Sequence, residues 1–150
     1  MQEIVKIIIN EIPPTNNKYM GNSHNFNEYR REKERWHWLI KGAINRAQKP
    51  KNPLVRATVN ITYYFKDKRR RDPDNYSGKM LLDPLVREGI LKDDSFDVVT
   101  LVLVGKVDKN NPRTEIEIRS MENEKNETHK TAEAGNSRKK ERKADKDGTR

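Results

Sequence analysis

Hydrophobic spacing in this chain switches between a strand-like and a helix-like period and then stops, which limits the architectures open to it. The opening segment Glu3–Ile12 (EIVKIIINEI) is apolar and β-branched and predicts a strand buried on at least one face. Pro13-Pro14 ends it, and a polar loop follows through Tyr19 and on to about Asn25. From Asn27 to Lys49 the residues Tyr29, Trp36, Ile40, Ala43, Ile44 and Ala47 recur at helical intervals and predict one apolar face. Pro50 and Pro53 stop that helix, and Leu54–Lys66 predicts a second strand. A second helix is expected over Tyr76–Glu88, with Met80, Leu81 and Leu85 facing inward, a kink or break at Pro84, and Gly89 as its C-terminal cap. Asp97–Val107 and Arg113–Ser120 predict two more strands around the turn Asp108–Pro112, and the clean alternation of the last one predicts a water-facing side. The order β-α-β-α-β-β implies an α/β or α+β layer fold, a mixed sheet with helices packed on it.

After Ser120 the periodicity disappears. The expected organisation is one folded domain over 1–120 and a charged, disordered tail over 121–150. The chain is 37% charged with a net charge of +9, but the tail carries nine Lys/Arg against seven Asp/Glu. Most of the positive charge therefore belongs to the folded body, and it points to an anionic partner, nucleic acid first. The absence of cysteine excludes disulfides, thiol catalysis and zinc-thiolate sites. No apolar run is long enough to span a bilayer and no signal peptide is visible, so a cytoplasmic location is expected.

The run Arg69–Asn75 (RRRDPDN) carries the chemistry. Pro73 biases Asp72 towards an extended conformation, in which residues i and i+2 point the same way, so Asp72 and Asp74 are expected side by side. Paired carboxylates are costly without a proton or cation between them, and hard oxygen donors suit Mg²⁺ or Mn²⁺. Lys79 falls at the start of the following helix and can reach back to the loop. After Gly89 the chain is expected to return alongside the loop and bring in one of Asp93 and Asp94, and geometry leaves that choice open. Each piece alone has a plainer meaning: an N-cap and Asx turn, a solvated lysine, a polar turn. Together with Lys68, Arg69, Arg70 and Arg71 as phosphate contacts, they make up the parts of a phosphodiester nuclease. Asn16, Asn17, Lys18 and Tyr19 form a second candidate DNA-contact set, for which a simple turn is the alternative. His24 and His129 fall in the predicted loop and tail. His37 sits between two tryptophans, and none of the three has metal-ligand spacing to another.

PPTNNKY (Pro13–Tyr19), the arginine run into DPDN (Asp72–Asn75), Lys79, LLDPLVREGI (Leu81–Ile90) and Asp93-Asp94 occur here in an order and spacing that resemble the RusA family of Holliday-junction resolvases. The resemblance covers about residues 3–120. It implies a RusA-like homodimer that cuts four-way DNA with Mg²⁺, Mn²⁺ being an alternative. It also implies Asp72, Asp74 and Asp94 as metal ligands and, with Lys79, as the catalytic group; counting from Leu82-Asp83 favours Asp94 over Asp93. Asp74 and Lys79 are one residue further apart than in the family pattern, so the start of the second helix is shifted within Tyr76–Gly78. The rival reading from another class is a non-catalytic module that grips branched or duplex DNA. RNA or nucleotide binding fits less well, for want of a Walker-type glycine loop or an RNP-type aromatic pair.

Overall fold

The structure, a computed structural model, describes residues 3–20 and 25–121. His24, His129 and the predicted tail beyond Met121 lie outside the described residues. Four strands and two helices alternate in the expected order: β1 (Ile4–Ile9), α1 (Asn25–Ala43), β2 (Ala57–Phe65), α2 (Lys79–Arg87), β3 (Val99–Val107) and β4 (Arg113–Ser120). They form an α+β fold with one mixed sheet ordered β1-β4-β2-β3. β4 runs antiparallel to both β1 and β2, whereas β2 and β3 are parallel and are joined through α2.

Alternation sets the layers. In β1, β2 and β4 every second side chain is buried: Val5, Ile7 and Ile9; Val59, Ile61 and Tyr63; Ile116 and Ile118. Trp36 and Ile40 of α1 and Met80, Leu81 and Leu85 of α2 complete that core. The opposite side of the sheet carries Lys6, Asn60, Thr62, Glu115 and Glu117 and is not covered by either helix.

Three local expectations change. α1 ends at Ala43, and Ala47 is exposed rather than on the apolar face. The Asn45 Oδ1 accepts a hydrogen bond from the Ala47 N–H at 3.0 Å, an Asx turn that replaces the helical bonding. α2 is one helix without a break at Pro84, which is buried in the core and lies near the C-terminal end. The discontinuity comes earlier: Pro73–Tyr76 is a short 3-10 turn, and α2 starts only at Lys79.

Gly78 makes that restart possible. Its φ of +78° is left-handed, and a Cβ there would sit 2.7 Å from Ile61 Cδ1. Gly89 closes the other end of α2 with φ +77°; its N–H bonds to the Val86 carbonyl and the Ile90 N–H to that of Leu85, as expected for a glycine C-cap. A Cβ at Gly89 would meet only Lys49 Cε, at 3.9 Å. Both Gly78→Ala and Gly89→Ala should lose roughly 1–2 kcal/mol for the left-handed backbone. Gly78→Ala should lose more, because Ile61 must also move. Urea unfolding of the two variants checks this, and equal losses would show that Ile61 yields without cost.

Candidate active site and DNA-contacting surface

The acidic loop follows directly from β2. Asp72 is extended (φ −103°, ψ 137°) and precedes the Pro73–Tyr76 turn. Asp74 lies inside that turn, so the pair does not follow the extended i, i+2 arrangement expected from sequence. Both carboxylates are exposed. Asp72 Oδ1 is 3.4 Å from Arg70 Nε, and among the described residues the Asp74 carboxylate has no ion pair.

What fixes this loop is the turn after β1, sixty residues away in sequence. Asn16 Nδ2 donates to the Asp74 carbonyl and to Ser77 Oγ, both at 2.8 Å, and the Asn17 N–H donates to Asn75 Oδ1 at 2.8 Å. The Asn16 side-chain amide and the Asn17 N–H therefore hold the acidic loop, and Asn17 itself is exposed. Tyr19, offered by sequence as a DNA contact, is half-buried and meets Tyr29 edge-on with centroids 5.4 Å apart. Burial and then the nearby Glu32 and Glu28 hold its phenol above the usual value. Lys18 is exposed, with its Nζ 5.6 Å from the Tyr19 ring centroid.

Lys79 is the first residue of α2 and is exposed, with its Nζ 5.3 Å from the Tyr29 ring centroid. Tyr29, read from sequence only as part of an apolar helix face, is thus a platform under the candidate catalytic lysine.

The three arginines divide. Arg71 is committed: its guanidinium donates to the Asp67 carboxylate at 2.8 Å and to the carbonyls of Asp67 and Arg69, and it lies 4.3 Å from the Phe65 ring centroid. It builds the loop and is not presented to a phosphate, contrary to the sequence expectation. Lys68, Arg69 and Arg70 are exposed. Sequence reasoning passed over Asp67, although its i, i+4 spacing to Arg71 was visible.

Asp93 and Asp94 are also exposed, and Asp93 Oδ1 accepts the Asp94 N–H at 2.9 Å. The chain does not return alongside the acidic loop here. Leu91 instead makes a parallel bridge with Leu54, near the start of β2. Asp72 lines a cleft of about 80 Å³ with Tyr63, Phe65, Tyr76 and Leu103–Gly105, at the later part of β3. Asp94 precedes the beginning of β3, and the six-residue step from Val99 to Gly105 spans about 20 Å. The aspartates therefore stand near opposite ends of the strand. Among the described residues, no three His, Asp or Glu side chains are grouped to hold one metal ion.

Two outcomes test the loop. Asn16→Ala, which deletes two of the hydrogen bonds, should leave the global unfolding midpoint nearly unchanged while raising amide exchange at Asp74–Ser77. The Arg69 N–H, and then Arg71, hold the Asp67 carboxyl below its ordinary range. Its contribution is therefore complete above the unfolded value, near pH 4, and is lost as pH falls through the lowered native value. Loop exchange in the parent should rise in that acidic window, whereas Asp67→Asn should remove this dependence.

The family model described as Endodeoxyribonuclease RusA matches residues 11–119, which include the Asn16 turn, the acidic loop, α2 and Asp94. No curated protein matches the chain at a significant level. Among the described residues no helix is long and apolar enough to cross a membrane. The extent of the family match assigns the chain to the RusA endodeoxyribonucleases, enzymes of Holliday-junction resolution.

Proposed function

We propose that the protein resolves four-way DNA junctions as a homodimer, by hydrolysing one phosphodiester in each of two symmetry-related strands. The carrying observation is the pair of exposed carboxylates, Asp72 and Asp74, on a loop pinned by three long-range hydrogen bonds and followed by Lys79. As hard oxygen donors they fit Mg²⁺, with Mn²⁺ as the substitute. When bound, the ion supplies Lewis-acid polarisation of the scissile phosphate and lowers the pKa of the attacking water. Lys79 stabilises the charge that develops on the phosphorus oxygens. Lys68, Arg69 and Arg70 bind flanking phosphates and position the strand without reading bases. Such an enzyme acts where the DNA is, in the cytoplasm at the nucleoid.

The support for a dimer is β3. It is the terminal strand of the sheet and nine residues long, and Leu101, Val102, Val104 and Val107 are each more than one-third exposed. Lys106 is the only charge on it. The other edge strand, β1, is shorter, carries Lys6, and has the Lys6 N–H satisfied by Gln48 Oε1 at 3.1 Å. Long apolar edges invite strand pairing. Antiparallel pairing of two β3 strands about Leu103 obeys two-fold symmetry and sets no like charges opposite each other. It also brings the start of the partner's β3 beside the end of this one, so that the partner's Asp94 approaches Asp72 and Asp74 and can complete the ligand set.

Four experiments follow. Wild-type protein with Mg²⁺ should nick a four-way junction, and failure to nick any branched DNA with Mg²⁺ or Mn²⁺ would favour the non-catalytic binding module. Asp72→Asn and Asp74→Asn should lose at least about 10²-fold in cleavage rate, within the range for removal of one transition-state contact, while binding the junction as well as the parent. Val104→Lys should yield an inactive monomer by analytical ultracentrifugation. A mixture of the singly inactive Asp74→Asn and Asp94→Asn proteins should regain nicking of one strand if Asp94 serves the partner's loop, and none if it serves its own.

A further inference from the structure

With Arg71 and Asn16 turned inward, two of the sequence-nominated DNA contacts hold the loop, and unpaired cations elsewhere become the informative ones. On α1, Arg35 is held by Glu11 at 2.9 Å and Glu32 at 2.7 Å, and Lys41 lies 4.0 Å from Glu88. Arg30 and Lys33 have no ion pair among the described residues. Both line a groove of about 440 Å³ between α1 and α2, together with Phe26 and Tyr29. Phe26 is 61% exposed in the first turn of α1, and the Arg30 guanidinium lies 5.8 Å from its ring centroid. The α2 wall contributes Asp83 and Arg87, the latter 3.6 Å from Glu34.

The groove is continuous with the cleavage loop, because Tyr29 forms part of its lining and also underlies the Lys79 ammonium. We infer that this groove is a second DNA-contact surface: the strand leaving the scissile phosphate passes Lys79 and runs along α1, with its phosphates on Arg30 and Lys33 and one unstacked base against Phe26. The occupant is a single DNA strand for two reasons. The free charges on the α1 wall are both cationic, and an exposed aromatic beside them offers a stacking face that only an unpaired base can use. Glu34 is paired with Arg87 at 3.6 Å, so its charge is offset within the groove. Asp83 keeps phosphates to the α1 side of the groove. This inference rests on the nuclease reading for the identity of the strand's origin.

The test is junction binding by the full chain in EDTA, where no cleavage occurs, over a range of salt concentrations. Arg30→Ala/Lys33→Ala should weaken binding about tenfold at moderate salt and reduce the slope of log K against log salt by about 1.4, the value for two single-strand phosphate contacts. Phe26→Ala should weaken binding of a four-way junction about fivefold or more while leaving perfect duplex unchanged. All three positions are surface ones, and unchanged thermal unfolding verifies that the variants fold. If the double variant keeps the parent's affinity and slope, or if Phe26→Ala affects duplex and junction alike, the groove does not hold the strand. Cleavage is scored separately with Mg²⁺: a parent that binds normally and never nicks counts against the roles of Asp72 and Asp74, not against the groove.

Discussion

Three hydrogen bonds connect the turn after β1 with the loop after β2, and the acidic centre depends on them. A loop that carries Arg69, Arg70, Asp72 and Asp74 into solvent reaches the core only at its end, through Tyr76 against Tyr63 and Phe65 and the Arg71 guanidinium over Phe65. Its conformational entropy would ordinarily keep it mobile. The Asn16 amide spans the short interval between Asp74 and Ser77, and Asn75 returns the contact to the Asn17 backbone. Both asparagines are thereby committed to geometry, and the carboxylates are left for chemistry.

The same division between holding and presenting runs through the cations. Arg71 on Asp67, Arg113 on Asp108 and Arg35 on Glu11 and Glu32 each satisfy several acceptors at once, using the guanidinium fork as a local clamp. Arg113 also lies 3.8 Å from the Tyr64 ring centroid at the turn between β3 and β4. Cations of this kind add to the net charge without being offered to a ligand. A count of Lys and Arg therefore overstates the charge available to DNA, and partner assignment residue by residue recovers the smaller set that is.

The fold was largely legible because it rests on periodicity. The alternation of β4 gives its boundaries, and the helical period gives Trp36, Ile40, Met80, Leu81 and Leu85 as inward, but it wrongly includes Ala47 and misses the buried His37 and Pro84. Boundaries failed where a local polar group competed with the backbone ladder, as Asn45 does at the end of α1. The site was legible in its parts and not in its arrangement. Asp72, Asp74 and Lys79 announce themselves by type and spacing, but the role of Asn16 depends on a contact across 58 residues. The position of Asp94 depends on where α2 delivers the chain. Nor could the apolar run of β3 reveal from sequence that it forms an edge, since a buried parallel strand reads the same way.

α2 hangs between two left-handed glycines and runs for nine residues, so it works as a spacer of fixed length. One end is tied to Ile61 under Gly78, and the other passes through Gly89 to the Leu54–Leu91 bridge. Inserting a residue between Leu81 and Leu85 would turn Leu85 by about 100° relative to Met80 and Leu81, so the three could no longer share one buried face. Upstream of Gly78 the chain is a short 3-10 turn held by Asn16 and Asn17, so its length is set by those hydrogen bonds and not by a helical register. The stretch between Asp74 and Lys79, where the resemblance implies one residue more than the family pattern, thus lies outside this fixed spacer.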